Sequence, residues 1–498
     1  MSRDDRLTVA TCSGAVQGVM AASAAAGPGV RVWRGIPYAA APVGPLRWRA
    51  PQPAGAWPGV RLAHEFGADF PQAPLPVSRA PTQSEDCLML NIWVPAAPAS
   101  SRLPVMVWLH GGGFTGGSGA DARCEGMGLA QHGVIVVTFN YRSGLFGFLA
   151  HPGLNRESEH GVSGNYGLLD QLAALRWVRD NIEGFGGDPQ RVTVFGVSAG
   201  SASIALLLTS PHAHGLFHRA IAHSPGTARP LASLQDAELA GATLGDDIDA
   251  LRRLSATDIL ALTPRLAPKV RGLTTPRVLR PIRDGWVIPE DERPVFKQGR
   301  LHAMPLIVGT NRDEGSLLTA AWPMRTLAEH RQLIAANFAG ATQQALARYP
   351  AASDADVRAS VAAMFGDTQF NYGARLLAQA MSRVEPRTWR YLFTRRRPGQ
   401  MDGPHHGDEV AHVFGNLAVG RGSEAAAFDA RDEELSAALR RAWVAFAMHG
   451  DPNAPGSASW SRFTQAGDGH LEFGDAIQSG SAWRCEQLDF LDRFYGDA

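Results

Sequence analysis

Short apolar runs rich in β-branched residues punctuate the chain: Val105 to Leu109, Val134 to Phe139, Val192 to Phe195, Ala220 to Ala222, Leu306 to Val308 and Tyr391 to Phe393. They lack the polar alternation of a half-solvated strand, and strands that read this way are covered on both faces. Between several of them the spacing is helical, notably over Leu168 to Asn181 and Ser201 to Leu208. Strands alternating with helices predict an α/β fold, a large, mostly parallel, doubly wound sheet. The stretches 225–300 and 320–386 carry helical spacing with few strand signals, so they are expected to be helical insertions capping the sheet of a single domain, 1–498. Pro-rich Pro71 to Pro81 reads as a surface loop.

One segment ties that frame to chemistry. Val192-Thr-Val-Phe-Gly196-Val-Ser198-Ala-Gly200-Ser-Ala-Ser-Ile is a strand, a G-x-S-x-G turn and then a helix. Small residues two before and two after the serine let strand and helix approach without a Cβ clash, and the hydroxyl stands exposed at the helix N-terminus. The motif alone is weak, and its strand-turn-helix context makes it a nucleophile elbow. A second segment, Leu109-His110-Gly111-Gly112-Gly113-Phe114, follows the run Val105 to Leu109. Consecutive glycines leave backbone N–H groups open to a developing oxyanion. A phosphate cradle is the competing reading, but no Lys-Ser/Thr follows.

Composition narrows the partners. Lys+Arg 47 and Asp+Glu 47 cancel and no dense basic run occurs, which removes the electrostatic footprint of a nucleic-acid binder. No apolar run approaches the ~18 residues of a membrane span. The opening MSRDDRLTVATCSGAVQGVM has no secretory apolar core. Cys12, Cys87, Cys124 and Cys485 show no Cys-x-x-Cys spacing, so a cytoplasmic protein without metal or redox cofactor is expected. Oligomeric state stays open.

The ordered motifs resemble the type-B carboxylesterases of the α/β-hydrolase superfamily, which include cholinesterases and para-nitrobenzyl esterases. The match spans almost the whole chain. It rests on Trp33-Arg-Gly-Ile-Pro-Tyr38, Leu46-Arg47, Ser84-Glu-Asp-Cys-Leu-Met-Leu-Asn91, the HGGGF segment, Asn140-Tyr-Arg142 and Asn165-Tyr-Gly-Leu-Leu-Asp170-Gln. Phe185-Gly-Gly-Asp-Pro189, the elbow, Ala442-Trp443-Val-Ala-Phe446 and Gly450-Asp-Pro-Asn453 complete it. The resemblance implies a cofactor-independent serine hydrolase acting on small neutral carboxylic esters through an acyl-enzyme. It also implies the site. Gly309-Thr-Asn-Arg-Asp313-Glu314-Gly315 is similar to the segment carrying the acid, and His405-His406-Gly407-Asp-Glu409 to the one carrying the histidine. The implied triad is therefore Ser198, His406 and Glu314, with Gly112, Gly113 and Ala199 as oxyanion donors. Asp313 and His405 each stand one residue before a proposed member, and a one-residue shift would exchange them. A metal reading of His405, His406, Asp408, Glu409 and His412 lacks the H-E-x-x-H order. The resemblance also makes Arg142 with Asp170, and Arg47 with Glu85, structural ion pairs.

Against that family pattern the chain departs in specific places. Val197 stands where a glutamate usually precedes the nucleophile, and Phe70 occupies the place of a disulfide partner for Cys87. Cholinesterases hold a quaternary ammonium with aromatic side chains. Here 71–84 contains none, and Leu317 and Leu318 follow Glu314. The alcohol side of the pocket is expected to be aliphatic and suited to neutral groups, with Phe114 as a candidate wall. Rival readings are amide, lactone or carbamate hydrolysis on the same fold, and a non-catalytic cholinesterase-like binding protein; the intact triad weighs against the latter.

Overall fold

Residues of β7 (Leu103–Leu109) show why the apolar runs lack alternation. Val105, Val107 and Leu109 join one hydrophobic cluster while Met106 and Trp108 join another on the opposite face. Both faces of the strand are covered, so both periods of the pleat are apolar. The structure is a computed structural model describing residues 7–21, 28–97, 99, 101–266, 272–274, 276–419 and 428–496.

Among the described residues, fourteen strands form two sheets. β1 (Thr8–Thr11), β2 (Gly14–Gln17) and β5 (Val60–Leu62) make a small one. The large sheet has eleven strands in the order β14-β13-β12-β11-β10-β9-β7-β8-β6-β4-β3. Its first half in sequence is β3 (Val19–Ala21), β4 (Val30–Pro37), β6 (Met89–Pro95), β7, β8 (Ile135–Phe139) and β9 (Gly187–Val197). β10 (Arg219–His223), β11 (Leu306–Asn311), β12 (Thr388–Phe393), β13 (Gly469–Phe473) and β14 (Ile477–Ser481) follow. From β8 through β13 neighbouring strands are parallel; β6, β4 and β3 on one edge and β14 on the other pair antiparallel.

Helices Tyr166–Asn181 and Ala199–Leu207 cover one face, and Ala430–His449 covers the other. The buried pair Arg142–Asp170 joins the Tyr166–Asn181 helix to the chain after β8 through Nε at 2.8 Å and Nη2 at 2.7 Å. Arg47 and Glu85 pair as well. The stretch 225–300 contains Leu234–Ala242, Ile248–Arg253, Ala256–Leu266 and Glu292–Lys297, with 267–271 and 275 outside the described residues. The stretch 320–386 is also helical, but its last helix, Tyr372–Val384, packs on β11 and β12 rather than capping the site. It is the crossover between two parallel strands, and such crossovers return across the sheet face. No helix among the described residues is long and apolar enough to cross a membrane.

Candidate active site

Ligands in open α/β sheets bind at the carboxyl ends of the strands. Here the loops leaving β7, β9, β10, β11 and β12 converge there. Ser198 leaves β9 and opens helix Ala199–Leu207 at φ 57°, ψ −119°, a conformation that costs a non-glycine residue about 1–3 kcal/mol. Its hydroxyl does not cap its own helix. Two glycines permit the turn. A Cβ on Gly196 would lie 2.7 Å from the Leu109 carbonyl oxygen of β7, and one on Gly200 would lie 2.0 Å from the same atom.

The Gly111 to Gly113 loop leaves that same end of β7. A Cβ on Gly111 would sit 3.1 Å from the Ser198 Cβ, so the two turns are in close contact. Gly112 and Gly113 have φ of 124° and 65°. Among the described residues, their N–H groups meet no protein acceptor. Ala199 is the first residue of its helix, where the N–H has no intrahelical partner. The loop itself is held from behind: Gln72 accepts from Gly117 N–H at 2.7 Å and donates to its carbonyl at 2.8 Å. His110 donates Nδ1–H to Gly111 O at 2.9 Å and stacks on Tyr141 at 4.1 Å.

Burial pushes the His110 pKa down to about 4. The unfolded chain takes up this proton near pH 6.5, whereas the folded chain refuses it until about pH 4. The site's contribution to stability is therefore complete above pH 6.5 and is lost as pH falls through that window, about 3 kcal/mol at its limit. His110→Asn keeps a donor near the Nδ1 position and removes the titration. Urea melts between pH 6.5 and 4 should show a shallower loss of stability than in the parent; parallel slopes would refute the assignment.

The remaining members form one hydrogen-bonded chain. Glu314 is 2 % exposed. Its Oε2 meets His406 Nδ1 at 2.5 Å, while Oε1 accepts from Ser224 Oγ at 2.5 Å and Asn311 N–H at 2.6 Å. His406 Nε2 is buried without a partner among the described residues. The Phe370 ring stacks on the imidazole at 4.2 Å. Asn311 clamps the two loops, because its side-chain amide donates to His405 O at 2.6 Å and to Glu409 Oε2 at 2.6 Å. Sequence reading did not single out Ser224, Asn311 or Phe370. Ser224 directly follows a strand and precedes Pro-Gly, the one local signal that it occupies a turn.

The neighbours that a one-residue shift would substitute point elsewhere. Asp313 accepts from Ser316 N–H at 3.0 Å, and His405 Nε2 lies 2.8 Å from Asp402. Hydrogen bonds divide the histidine-rich cluster: His412 faces Asp432 at 3.3 Å, and Glu409 holds Asn311. Asp313, Asp402 and His405 instead bring one ligand-type atom each within 4.8 Å of one another. Phe114 is buried, packs edge-on against Phe148 at 5.3 Å and lines a cleft behind Ser198. Leu317 and Leu318 are 42 % and 41 % exposed and lie outside that cleft. Cys87 is a buried free thiol that shares a small cavity with Phe70.

Val197 pairs in register with His223 of β10. His223 is fully buried, and its Nε2 accepts from the Trp443 indole N–H at 3.1 Å. An indole only donates, so the proton of a neutral His223 is on Nδ1. That nitrogen lies 3.0 Å from Tyr391 Oη and 3.5 Å from Glu409 Oε1. Burial pushes the Glu409 carboxyl up, but hydrogen bonds from His223 and Asn311, together with the charge of the neighbouring His223 and His406 imidazoles when protonated, outweigh it and hold its pKa below the usual value. A carboxylate at 197 would enter this neighbourhood with His223 already engaged and Glu409 already charged. Val197 is half-buried, and a carboxylate held there without a partner is destabilised in its charged form by partial loss of water. Val197→Glu is expected to lower the thermal midpoint by several degrees without raising kcat/KM; an equally stable, faster variant would overturn this reading.

The fold, with a serine elbow and an acid–histidine pair on adjacent strand ends, defines an α/β-hydrolase. A family model described as the carboxylesterase family matches residues 5–491, and the chain belongs to that family. It is 46% identical over 488 residues to a fumonisin B1 esterase of Sphingopyxis macrogoltabida, covering 96% of this chain and 88% of that protein. It is 37% identical over 453 residues to the para-nitrobenzyl esterase of Bacillus subtilis (strain 168), covering 87% and 89%. A solved PNB esterase structure superposes with TM-score 0.84 at 34% identity, covering 98% of this chain and 100% of that one. The protein is thus an enzyme that hydrolyses carboxylic esters.

Proposed function

We propose that Ser198 is the nucleophile, His406 the general base and acid, and Glu314 the carboxylate that orients it, with the N–H groups of Gly112, Gly113 and Ala199 as the oxyanion hole. The observation that carries this reading is the contact of Glu314 Oε2 with His406 Nδ1 at 2.5 Å, which leaves Nε2 of the same ring buried and unpartnered on the side away from the carboxylate. His406 takes the Ser198 proton on Nε2 as Oγ attacks the ester carbonyl. The carbonyl oxygen becomes an oxyanion held by the three N–H groups. Collapse expels the alcohol, which leaves with the proton from His406. Water then repeats the sequence on the acyl-enzyme, releasing the acid and restoring Ser198. Glu314 keeps the imidazole proton on Nδ1 and stabilises the cation between steps.

One catalytic unit carries this chemistry, with the described helices of 225–300 and those of 320–371 forming its cap. The alcohol limb is neutral, and a small ester is the only partner that the reaction requires. Four free cysteines support a cytoplasmic setting, where thiols stay reduced. The name of the 46%-identical relative makes fumonisin B1 a first complex ester to assay beside simple ones. The direct test is an organophosphonate probe read by mass spectrometry. Stoichiometric labelling of Ser198 with loss of activity is expected; labelling of any other serine overturns the assignment.

A further inference from the structure

The N–H groups of Gly112 and Gly113 serve an oxyanion well only if their peptide planes are fixed, and neither N–H is tied by a hydrogen bond of its own among the described residues. In a planar trans peptide the N–H of one residue points opposite to the carbonyl of the residue before it. Gly112 N–H is therefore aimed by the Gly111 carbonyl, and Gly113 N–H by the Gly112 carbonyl. Both carbonyls are held. Gly111 O accepts from His110 Nδ1 at 2.9 Å. Gly112 O accepts from Thr115 N–H and Gly116 N–H at 3.0 Å each and from Thr115 Oγ1 at 3.2 Å, which closes a turn over 112–116.

The chain after that turn folds back on it. A Cβ on Gly112 would lie 2.0 Å from Gly116 O, and one on Gly117 would lie 2.2 Å from both Gly111 O and His110 Nδ1. Gly117 thus packs on the bond that sets the Gly112 plane. Its own position is set from a different part of the chain. Gln72 is 5 % exposed and meets both polar groups of Gly117 at once, Oε1 accepting from its N–H at 2.7 Å and Nε2 donating to its carbonyl at 2.8 Å. Three residues earlier, Asp69 takes hold of the next residue along: Oδ1 accepts from Ser118 Oγ at 2.5 Å and Oδ2 from Ser78 Oγ at 2.6 Å. Gln72 is anchored in turn, because its backbone N–H donates to Gln83 Oε1 at 3.0 Å. Cys87 is a free thiol, so no disulfide closes this segment and hydrogen bonds hold it.

We infer that Gln72 is a positioning residue for the oxyanion hole, holding Gly117 against the Gly111 carbonyl and so keeping the Gly112 and Gly113 N–H groups aimed. A glutamine amide suits the task because it presents one acceptor and one donor side by side, the complement of a residue's own N–H and carbonyl. Among the described residues Gln72 bonds to none of Ser198, Glu314 and His406, so its effect runs through the turn. Released from Gly117, the turn is free to rotate its peptides, and the donors lose the preorganisation that makes them effective. The inference rests on Gly112 and Gly113 being the oxyanion donors, as proposed above.

The test compares Gln72→Met, which keeps the length and loses both hydrogen bonds, with the parent on p-nitrophenyl butyrate. Rates are expressed per Ser198 counted by organophosphonate labelling carried to completion, which removes any unfolded fraction. The variant should lose about 10- to 100-fold in kcat, with KM within about twofold of the parent. Its pH profile of kcat/KM should keep the parent midpoint, because Glu314 and His406 keep their partners. A ketone reads the hole itself: Ser198 Oγ adds to the carbonyl carbon of 1,1,1-trifluoro-2-pentanone, the serine proton passes to His406, and the carbonyl oxygen becomes an oxyanion with no group to expel. Its inhibition constant should rise by the factor that kcat/KM falls. Gln72→Asn, which keeps the amide but withdraws it by one methylene, should show the same signature at smaller size and serves if Gln72→Met does not fold. A lowered thermal midpoint with kcat per Ser198 and ketone affinity unchanged would make Gln72 a support of the fold alone and overturn the inference, as would a shifted pH profile. A parent that fails to label at Ser198 would sink the esterase reading beneath it instead.

Discussion

Ser198→Ala is expected to fold like the parent and to hydrolyse esters about 10⁴-fold or more slowly. Both halves of that expectation come from the geometry of the elbow. The hydroxyl does not cap its helix, so its loss leaves no helical N–H orphaned. The backbone at φ 57° is as strained for alanine as for serine, since the strain comes from Cβ. Thermal stability should therefore stay within about 1 kcal/mol of the parent. Activity is another matter, because His406 and the oxyanion donors have nothing to act on without the nucleophile. What remains is the binding and electrostatic effect of the loop after β7 on slow attack by water. Steady-state kinetics on a reactive ester, with active-site titration to exclude contaminating parent, measures the drop. A loss below tenfold would mean that another group attacks the carbonyl.

The centre of this fold is written in the sequence more plainly than its edges. β7, β8, β9, β10 and β11 are legible because each has apolar residues packed on both faces and so carries a largely apolar run, whereas β12 shows only in Tyr391 to Phe393, after Arg390 interrupts it. β4, with its alternating Val30-Arg-Val-Trp-Arg34, and β14, with Gln-Ser-Gly-Ser, lie at or near the edges of the sheet, where one face or one side meets solvent. They lose the signal for that reason. Helical spacing likewise reveals a helix without saying which surface receives it, so Tyr372–Val384 looked like part of the cap until its contacts with β11 and β12 placed it on the sheet. At the site, Ser198, Glu314 and His406 carry recognisable neighbours in the chain. Ser224, Asn311 and Phe370 do not, because each acquires its place only when loops from different strands meet. The hold of Gln72 on Gly117 belongs to the same class: the two lie in segments with no shared motif and become one feature only in three dimensions.

Glu314→Gln is expected to be as damaging as loss of the nucleophile, about 10⁴-fold in kcat, although it changes one atom. The argument runs through hydrogen-bond polarity. Oε1 of Glu314 accepts from the Asn311 backbone N–H at 2.6 Å and from Ser224 Oγ at 2.5 Å. A backbone N–H can only donate, so a glutamine here must turn its carbonyl oxygen toward Asn311 and its NH₂ toward His406. That amide then donates to Nδ1 at the position where the carboxylate had accepted. Nδ1 must become the acceptor, which moves the imidazole proton to Nε2. A ring protonated on Nε2 offers a donor where the proposed mechanism needs a base, and takes no proton from the nucleophile. Rotating the amide to keep the working tautomer would instead set its NH₂ against the Asn311 N–H, leaving two buried donors in contact at a cost of about 1–3 kcal/mol. Glu314 itself is almost fully buried, so water offers no relief. The variant should keep the parent thermal midpoint to within a few degrees, because every partner still finds a hydrogen bond. Its KM should change little while kcat collapses. An intact kcat would show that another carboxylate orients His406, and Asp313, whose side chain now holds Ser316, would be the first to examine.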